Sequence, residues 1–336
     1  EHYPWTTMFG EFGFMLDGLA TPFAIIIYVL CTVLVLYSKP YMVHKFEELF
    51  KEHYHQSTST DGQTTALVDS VALKTYINRQ SGLYFAMFLV FAMGMLGTVL
   101  ATNLIEFYIF FEVMLIPSFF LIAFYGDGNR RRIALQFLFW THVGAVVLLL
   151  GFLAIGLSVG SFDFVDISEA EIDPDILVVS AVAIILGLGV KLAAFIFHIW
   201  LPYAHGAAPT PISALLSPDM IGIGAYGLFR LIVEFMPQTY ADISIMLNIW
   251  GVVTMFYGGA MALMQDDLKR LLAYSSISQM GYILFGLGSL SAYGLSGAEM
   301  MYVSHALGKG LLFMTAGVLI VQVGTRSMSK LGGLAG

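Results

Sequence analysis

Long apolar segments determine what this chain can fold into. A helix that crosses the hydrocarbon core of a membrane needs roughly 20 consecutive apolar residues. Nine segments of the 336-residue chain meet that requirement, at about 16–38, 83–101, 103–125, 133–157, 178–201, 210–233, 243–264, 271–291 and 298–322. Hydrophobic residues make up 58% of the chain and charged residues only 11%, whereas soluble domains carry about a quarter charged residues. The sequence therefore predicts an all-α fold, a polytopic bundle of transmembrane helices.

The charges in the connections predict how the bundle is oriented. Basic residues follow the first, third, seventh and ninth spans, which all end on the same side of the membrane. They are Lys39, Lys45, Lys51, Lys74, Arg79, Arg130, Arg131, Arg132, Lys269, Arg270, Arg326 and Lys330. The opposite side carries acidic connections without lysine or arginine, at 161–176 and 234–244. By the positive-inside rule the basic side is cytoplasmic, and we expect a multi-pass protein of the inner cell membrane.

The composition argues against several kinds of site. A net charge of −8 provides no basic face for a nucleic acid. The single cysteine, Cys31, can supply neither a disulfide framework nor the thiolates of an iron–sulfur centre. In the polar stretch 39–80, His44, His53 and His55 match no metal-ligand spacing, and we interpret the stretch as a short amphipathic helix followed by a flexible cytoplasmic loop. We therefore expect no cofactor and no metal in this chain.

Ionisable residues inside the predicted spans are the candidate functional groups. On insertion scales each costs at least about 2.5–3.5 kcal/mol at the centre of a spanning helix, so it persists where it faces protein or water. The candidates are Glu112, His142, Lys191, His198, Asp219, His305 and Lys309. Glu106 and Arg230 lie nearer the ends of spans, where snorkelling to the interface is the expected explanation.

Each candidate also has a purely structural interpretation, in which it only holds neighbouring helices together. For Glu112 and Lys191 we favour function, because packed apolar groups could replace a structural ion pair at little loss of stability. Lys309 follows His305 by one helical turn on the same face, and we favour function there as well. For the other candidates a hydrogen bond to a neighbouring helix stays an equal alternative; these are Asp219, His142 and His198.

One predicted span contains residues that interrupt a helix. In GVKLAAFIFHIWLPYAHGAAPTPIS (189–213), Lys191 and His198 are seven residues apart, two turns along one helical face. Pro202 then removes a backbone donor, and the glycine and two prolines that follow prevent the helix from re-forming at once. Free backbone groups at membrane depth occur only within protein or beside water, and broken helices form the ion sites of many transporters. We predict that the break lets water reach Lys191, so that the lysine can gain and lose a proton.

Three motifs in this order resemble a known family. They are KLAAFIFHIWLPYAHGAAPTPISALL (191–216), GAYGLFRL (224–231) and DDLKRLLAYSSISQMGYI (266–283). They are similar to the antiporter-like proton-pumping subunits of respiratory complex I, which in turn resemble subunits of multisubunit sodium/proton antiporters and membrane-bound hydrogenases. The resemblance extends from FMLDGLATPF (14–23) to SHALGKGLLF (304–313), and the first motif looks like the chain M type.

The resemblance implies roles for three of the candidates. Glu112 matches the glutamate of the family's FWE helix, although the tripeptide here is Phe-Phe-Glu. Lys191 matches the lysine of the discontinuous helix, and Lys309 matches the lysine of the HALxK motif. Together they would form a central hydrophilic axis along which protons move. The family's second lysine, four residues before the tyrosine of AYGL, is Gly222 here, and Asp219 three residues earlier reverses the sign of the charge.

The resemblance also implies a domain organisation with two five-helix repeats of inverted topology. Residues 1–38 would be an N-terminal segment with the first span, and 39–80 a cytoplasmic polar loop. Residues 83–233 would form the first repeat and 243–336 the start of the second, whose remaining helices we expect to lie beyond Gly336.

The implied function is that of a proton-translocating membrane subunit of a complex I-like quinone oxidoreductase. Such a subunit has no redox centre of its own and is driven by electron transfer in other subunits. Its partners would be other membrane subunits, including sister antiporter-like subunits, within the lipid bilayer. A subunit of a multisubunit sodium/proton antiporter, or of a membrane-bound hydrogenase, is the alternative, because the pumping machinery is shared.

Overall fold

The computed structural model describes residues 2–6, 9–57 and 66–332 of the chain. A two-stranded antiparallel hairpin, β1 (His2–Thr6) and β2 (Gly10–Gly13), precedes the helices. The helices are α1 (Ala20–Ser57), α2 (Ala66–Leu100), α3 (Leu104–Val113), α4 (Leu115–Tyr125), α5 (Arg130–Val159), α6 (Phe164–Glu169), α7 (Pro174–Lys191), α8 (Trp200–Ala207), α9 (Thr210–Leu215), α10 (Ile221–Leu228), α11 (Pro237–Leu263), α12 (Leu268–Leu287) and α13 (Ala292–Val323). The predicted all-α bundle is confirmed.

The helices that cross the membrane agree with the apolar segments of the sequence. Eight segments within the described residues are long and apolar enough to span: Ala20–Glu52, Ser70–Leu100, Leu104–Tyr125, Arg130–Val159, Pro174–Lys191, Thr210–Glu234, Pro237–Leu263 and Ala292–Val323. The more polar α12 is not among them. However, it runs antiparallel to α11 over its whole length, because Gly258 of α11 contacts Ser278 and Asn248 of α11 contacts Gly288. It therefore crosses the same thickness of the bundle.

The stretch 39–80 differs from the prediction. α1 continues through Pro40 to Ser57, and α2 begins at Ala66, so the predicted loop is wrong over most of its length. Residues 58–65, and the side chains of two of the histidines considered above as metal ligands, His53 and His55, lie outside the described part. Pro40 removes only one hydrogen bond, and packing of the next turns holds the helix. The buried side chains of those turns are Met42, Phe46 and Leu49.

The centre of the bundle is the segment Thr210–Glu234, whose most apolar window is 100% buried. It combines α9 and α10 with two π-helical turns, Leu216–Met220 and Phe229–Glu234. Pro218 lies inside the first of these turns, and its missing N–H accounts for the local departure from α-helical hydrogen bonding. Because α1, α7 and α13 all pack against this segment, groups on it reach several neighbouring helices.

The close packing of α11 on α12 gives a test of the fold. A Cβ atom on Gly258 would lie 2.4 Å from the Ser278 backbone nitrogen, whereas a Cβ atom on the adjacent Gly259 would lie 3.7 Å from the Ser278 hydroxyl oxygen. Gly258→Ala is expected to destabilise the protein by about 1–3 kcal/mol, because the two backbones must separate. Gly259→Ala is the matched control and is expected to be neutral or stabilising, because alanine is the better helix former.

Thermal denaturation of the two purified variants in the same detergent measures the difference. Equal midpoints for Gly258→Ala and Gly259→Ala would contradict the described helix contact.

Candidate functional site

The fifth predicted span is broken, but not where the sequence predicted. α7 ends at Lys191, and residues 192–199 are not helical. Within them Ala193 and Ile196 have positive φ angles of 56° and 81°, a region that side-chain-bearing residues rarely adopt and that ends a right-handed helix. Pro202, predicted to be the breaker, instead lies in the first turn of α8, where no intrahelical bond needs its missing N–H. The break thus begins directly after Lys191 and lies within the predicted span 178–201.

The break separates two residues that were predicted to share a helical face. Lys191 is the last residue of α7, while His198 lies in the non-helical segment. The His198 Nε2 atom is 3.0 Å from the Tyr257 hydroxyl oxygen of α11, and its ring stacks on Phe195 with centroids 6.0 Å apart. The predicted shared face is therefore wrong, because the seven-residue spacing assumed an unbroken helix.

Side chains bind the backbone groups that the break leaves free. Three of the four tryptophans of the chain donate their indole N–H groups to carbonyl oxygens of this region: Trp200 to Val190 at 2.9 Å, Trp250 to Phe195 at 3.0 Å, and Trp140 to Phe197 at 2.8 Å. The Thr254 hydroxyl oxygen accepts a hydrogen bond of 3.1 Å from the Phe195 N–H. Protein side chains therefore satisfy four backbone groups at the break, as an apolar environment requires.

Lys191 itself takes no part in these hydrogen bonds. Its side chain is 1% exposed, and its Nζ atom has no hydrogen-bond partner among the described residues. The Nζ atom lies 4.2 Å from the centroid of the Phe111 ring, in a cation–π contact. Glu112 is within electrostatic reach, yet its Oε2 atom instead lies 3.0 Å from His142 Nδ1. The structure thus brings Glu112, His142 and Lys191 together, and the Glu112–His142 pair was missed by the sequence reasoning.

Asp219 lies on the first π-helical turn at the centre of the bundle. Its carboxyl group is fully buried, and neither oxygen makes a hydrogen bond of normal geometry in the described part of the chain. The side chain of Tyr302 in α13 lies against it. Gly222 faces the same ring, since a Cβ atom there would lie 2.2 Å from Tyr302 Cε2. A larger side chain at position 222 would require the tyrosine to move.

Two candidates on α13 share one buried face, as predicted. His305 is 4% exposed and Lys309 is 6% exposed. Lys309 Nζ donates a hydrogen bond of 3.1 Å to the Leu272 carbonyl oxygen of α12 and another to the Ser275 hydroxyl. Neither ring nitrogen of His305 has a partner among the described residues. Both side chains line a cavity of about 290 Å³ together with Gln279, which is large enough for water.

A cluster of charged residues that the sequence did not indicate lies at the end of the bundle that was predicted to be cytoplasmic. It caps the second interruption, between α8 and α9. Three consecutive carbonyl oxygens each accept a hydrogen bond of 2.7 Å: Gly206 from Arg326, Ala207 from the Asp127 N–H, and Ala208 from Lys269. Lys269 is 1% exposed. It was missed because a lysine at the start of a span resembles an ordinary orientation signal.

The opposite end of the bundle also differs from the prediction. Arg230 does not snorkel to the interface; it is 1% exposed, with Nη1 lying 2.7 Å from Asp17 and 2.6 Å from Glu234. Burial alone would raise the pKa of Asp17, but the hydrogen bond and charge of Arg230 outweigh it and the pKa is lowered. Glu106 is fully buried and accepts a hydrogen bond of 3.2 Å from the Thr102 N–H. The predicted snorkelling of both residues is wrong.

The family of the chain follows from comparison with known proteins. Residues 101–336, most of the chain, match the family described as NADH:quinone oxidoreductase/Mrp antiporter, transmembrane. The chain belongs to this family. The site described above therefore lies in a complex I-like or Mrp antiporter-like membrane subunit, and the resemblance noted in the sequence is confirmed.

The chain is similar to curated proteins from two different organisms. The chain is 32% identical over 303 residues to NAD(P)H-quinone oxidoreductase chain 4-3 of Nostoc sp., covering 87% of this chain and 54% of that protein. It is 36% identical over 263 residues to F(420)H(2) dehydrogenase subunit M of Methanosarcina mazei, covering 75% of this chain and 53% of that protein. The chain thus spans about half the length of the curated relatives it matches.

Two solved structures share the fold over the whole chain. The Mrp complex from Dietzia sp. DQ12-45-1b matches with a TM-score of 0.82 and 30% identity, covering 100% of this chain and 34% of that one. Respiratory complex I from Thermus thermophilus matches with a TM-score of 0.82 and 25% identity, covering 100% of this chain and 64% of that one. Both are multisubunit membrane complexes.

The tryptophan hydrogen bonds at the break can be tested separately from function. Trp250→Phe keeps an aromatic ring but leaves the carbonyl oxygen of the half-buried Phe195 without its donor. We expect a loss of about 1–3 kcal/mol of unfolding free energy, the cost of an unsatisfied buried group. Trp5→Phe, at a side chain 37% exposed on the N-terminal hairpin, is the control and is expected to stay within about 0.5 kcal/mol.

Chemical denaturation of the two variants, followed by circular dichroism, provides the comparison. If Trp250→Phe were as stable as Trp5→Phe, the indole hydrogen bond would not be what satisfies the break.

Proposed function

We propose that this chain moves protons across the membrane as a subunit of a complex I-like quinone oxidoreductase. The proposed proton-carrying groups are Glu112, Lys191 and Lys309, assisted by His142, His198, His305 and Asp219. The observation that carries the proposal is Lys191, a lysine 1% exposed and without a hydrogen bond, at the break of a membrane helix. In this proposal electron transfer takes place in other subunits, and this chain holds no redox centre.

Glu112 is the group that can change the protonation of Lys191. Its carboxylate pairs with His142 at 3.0 Å, while Lys191 faces the ring of the intervening Phe111. An opposite charge within a few ångströms favours a protonated lysine. Movement of the Glu112 carboxylate away from His142 and towards Lys191 would therefore load the lysine with a proton. Return of the carboxylate to a protonated His142 would remove that stabilisation and release the proton.

The position of the Glu112–His142 pair supports sister membrane subunits as partners. The His142 side chain is 51% exposed and that of Glu112 is 20% exposed, although both lie in the interior of spanning segments. Polar groups that face lipid at this depth are costly. We propose that a neighbouring membrane subunit covers this face of α5 and exchanges protons with the pair.

A subunit of a multisubunit sodium/proton antiporter is the second candidate. The Mrp complex of Dietzia matches the fold as well as complex I of Thermus does, and at higher sequence identity, 30% against 25%. The chains that co-purify with this subunit distinguish the candidates. If the chain is a complex I-like subunit, iron–sulfur and quinone-binding subunits are expected to co-purify with it. A complex of small membrane chains alone would overturn the complex I-like assignment.

Replacing Lys191 tests the proposed function most simply. Lys191→Ala is expected to abolish or severely reduce proton transport by the complex in reconstituted vesicles, while assembly stays intact because a neutral residue inserts more easily. Lys191→Arg is expected to fail as well, since a guanidinium keeps its proton at accessible pH. Lys74→Ala, at an exposed lysine, is the control and should transport normally. Wild-type transport by Lys191→Ala would refute the role of the lysine.

A double-mutant cycle tests whether Glu112 and Lys191 act as a unit. Glu112→Gln is expected to impair proton loading, and the double variant with Lys191→Ala is expected to transport no worse than Lys191→Ala alone. Glu171→Gln, at an exposed residue of an acidic connection, is the matched control and should leave transport unchanged. If the fractional losses of proton flux in Glu112→Gln and Lys191→Ala multiplied in the double variant, the two residues would be uncoupled.

A further inference from the structure

A buried carboxyl group, that of Asp219, lies at the centre of the bundle. Asp219 is 0% exposed, and neither of its oxygens makes a hydrogen bond of normal geometry to a described residue. An isolated ionised carboxylate in an apolar interior is too costly to persist. The side chain therefore holds a proton in this arrangement, and ionises only while it passes that proton to a neighbour.

The side chain of Tyr302 is positioned to be that neighbour. Its ring lies against Asp219, is 0% exposed, and carries a hydroxyl group without a hydrogen-bond partner of normal geometry in the described residues. Phe23 stacks on the ring with centroids 4.1 Å apart, and Gly222 contacts its edge. Cys31 also lies close to both side chains. Packing thus fixes the ring and leaves the hydroxyl group free to form new hydrogen bonds.

Tyr302 also belongs to the buried face of α13 that carries two other candidates. His305 follows it by three residues, about 4.5 Å along the helix axis, and both ring nitrogens of His305 lack a partner among the described residues. His305 and Lys309 then line the same cavity. Buried polar groups without a normal hydrogen bond among the described residues thus lie on the central segment, at Asp219, and on this face of α13, at Tyr302 and His305.

We propose that Tyr302 relays protons between Asp219 and His305, and that Asp219 and Tyr302 together replace the basic side chain that Gly222 lacks. In one transfer the Asp219 carboxyl group gives its proton to the tyrosine oxygen, while the tyrosine gives its own hydroxyl proton to a ring nitrogen of His305. Asp219 is left as a carboxylate, His305 as an imidazolium, and Tyr302 is neutral throughout. This inference rests on the proposed proton transport by the chain.

Tyr302→Phe is the decisive variant, because it keeps the ring and removes only the hydroxyl group. The Tyr302 hydroxyl makes no hydrogen bond of normal geometry to the described residues, so the variant is expected to fold and assemble. Proton transport by the intact complex in vesicles should fall by roughly tenfold or more, as expected for a lost proton-transfer group. Asp219→Asn should cause a similar loss, and the double variant should be no worse than Asp219→Asn. Wild-type transport by Tyr302→Phe would overturn the relay.

Tyr37→Phe is the matched control. The Tyr37 hydroxyl donates a hydrogen bond of 2.9 Å to the Met314 carbonyl oxygen of the same helix, α13. Its removal perturbs the packing of α13 without touching the Asp219–Tyr302 pair, so transport should stay at the wild-type level. A loss in Tyr37→Phe equal to that in Tyr302→Phe would show that general disturbance of α13 is the cause, and would overturn the proposal.

Infrared difference spectroscopy tests the contact without requiring transport. The band of a protonated carboxyl group that disappears in Asp219→Asn is assigned to Asp219, and this band should shift in Tyr302→Phe but not in Tyr37→Phe. An unshifted band, or no such band in the wild-type protein, would overturn the inference. If the wild-type complex carries no protons while the band shifts as expected, the proposed function fails but the Asp219–Tyr302 contact stands.

Discussion

The hydrogen bonds that satisfy the broken helix between α7 and α8 determine the rest of the site. A break at membrane depth exposes carbonyl oxygens and N–H groups that lipid cannot satisfy, and the nearest cation, Lys191, would be an obvious ligand for the carbonyls. Instead the indole groups of Trp140, Trp200 and Trp250 bind them. Because neutral donors bind these carbonyl oxygens, the Lys191 amino group makes no hydrogen bond among the described residues and lies over the Phe111 ring. In the proposed function, this arrangement leaves the lysine able to exchange a proton.

Hydrogen bonding of the side-chain nitrogen also distinguishes the buried lysines of the bundle from one another. Lys269 is as buried as Lys191, but it donates to the Ala208 carbonyl oxygen at 2.7 Å and caps the second interruption. Lys309 lies between the two cases, since it is hydrogen-bonded to α12 and yet faces a cavity. Burial alone therefore does not identify a proton-carrying lysine. In the proposed function, Lys191 differs from Lys269 because its amino group is not hydrogen-bonded to a backbone oxygen of the described residues.

The sequence predicted those features that depend on composition and on single residues. Apolar runs located the spans, and isolated charges located Glu112, Lys191 and Lys309. Features that depend on packing between distant segments could not be predicted. The break begins after Lys191 because Ala193 and Ile196 adopt positive φ angles, which no residue type in that stretch demands; the tryptophan and threonine contacts stabilise them. Glu112 and His142 are 30 positions apart in the sequence and lie on different helices. Tyr302 carries no charge that would have drawn attention to it.

The central claim is that Lys191 changes its protonation state during turnover, and nitrogen-15 NMR of the lysine side chain observes that state directly. The intact complex would be labelled at lysine Nζ, with the Lys191 signal assigned by its absence in Lys191→Ala. The account predicts that the Lys191 signal moves between the positions of a neutral amine and an ammonium as the complex is driven, while the signal of Lys269 stays fixed. A Lys191 signal that stays at the ammonium position under resting and driven conditions would contradict the account.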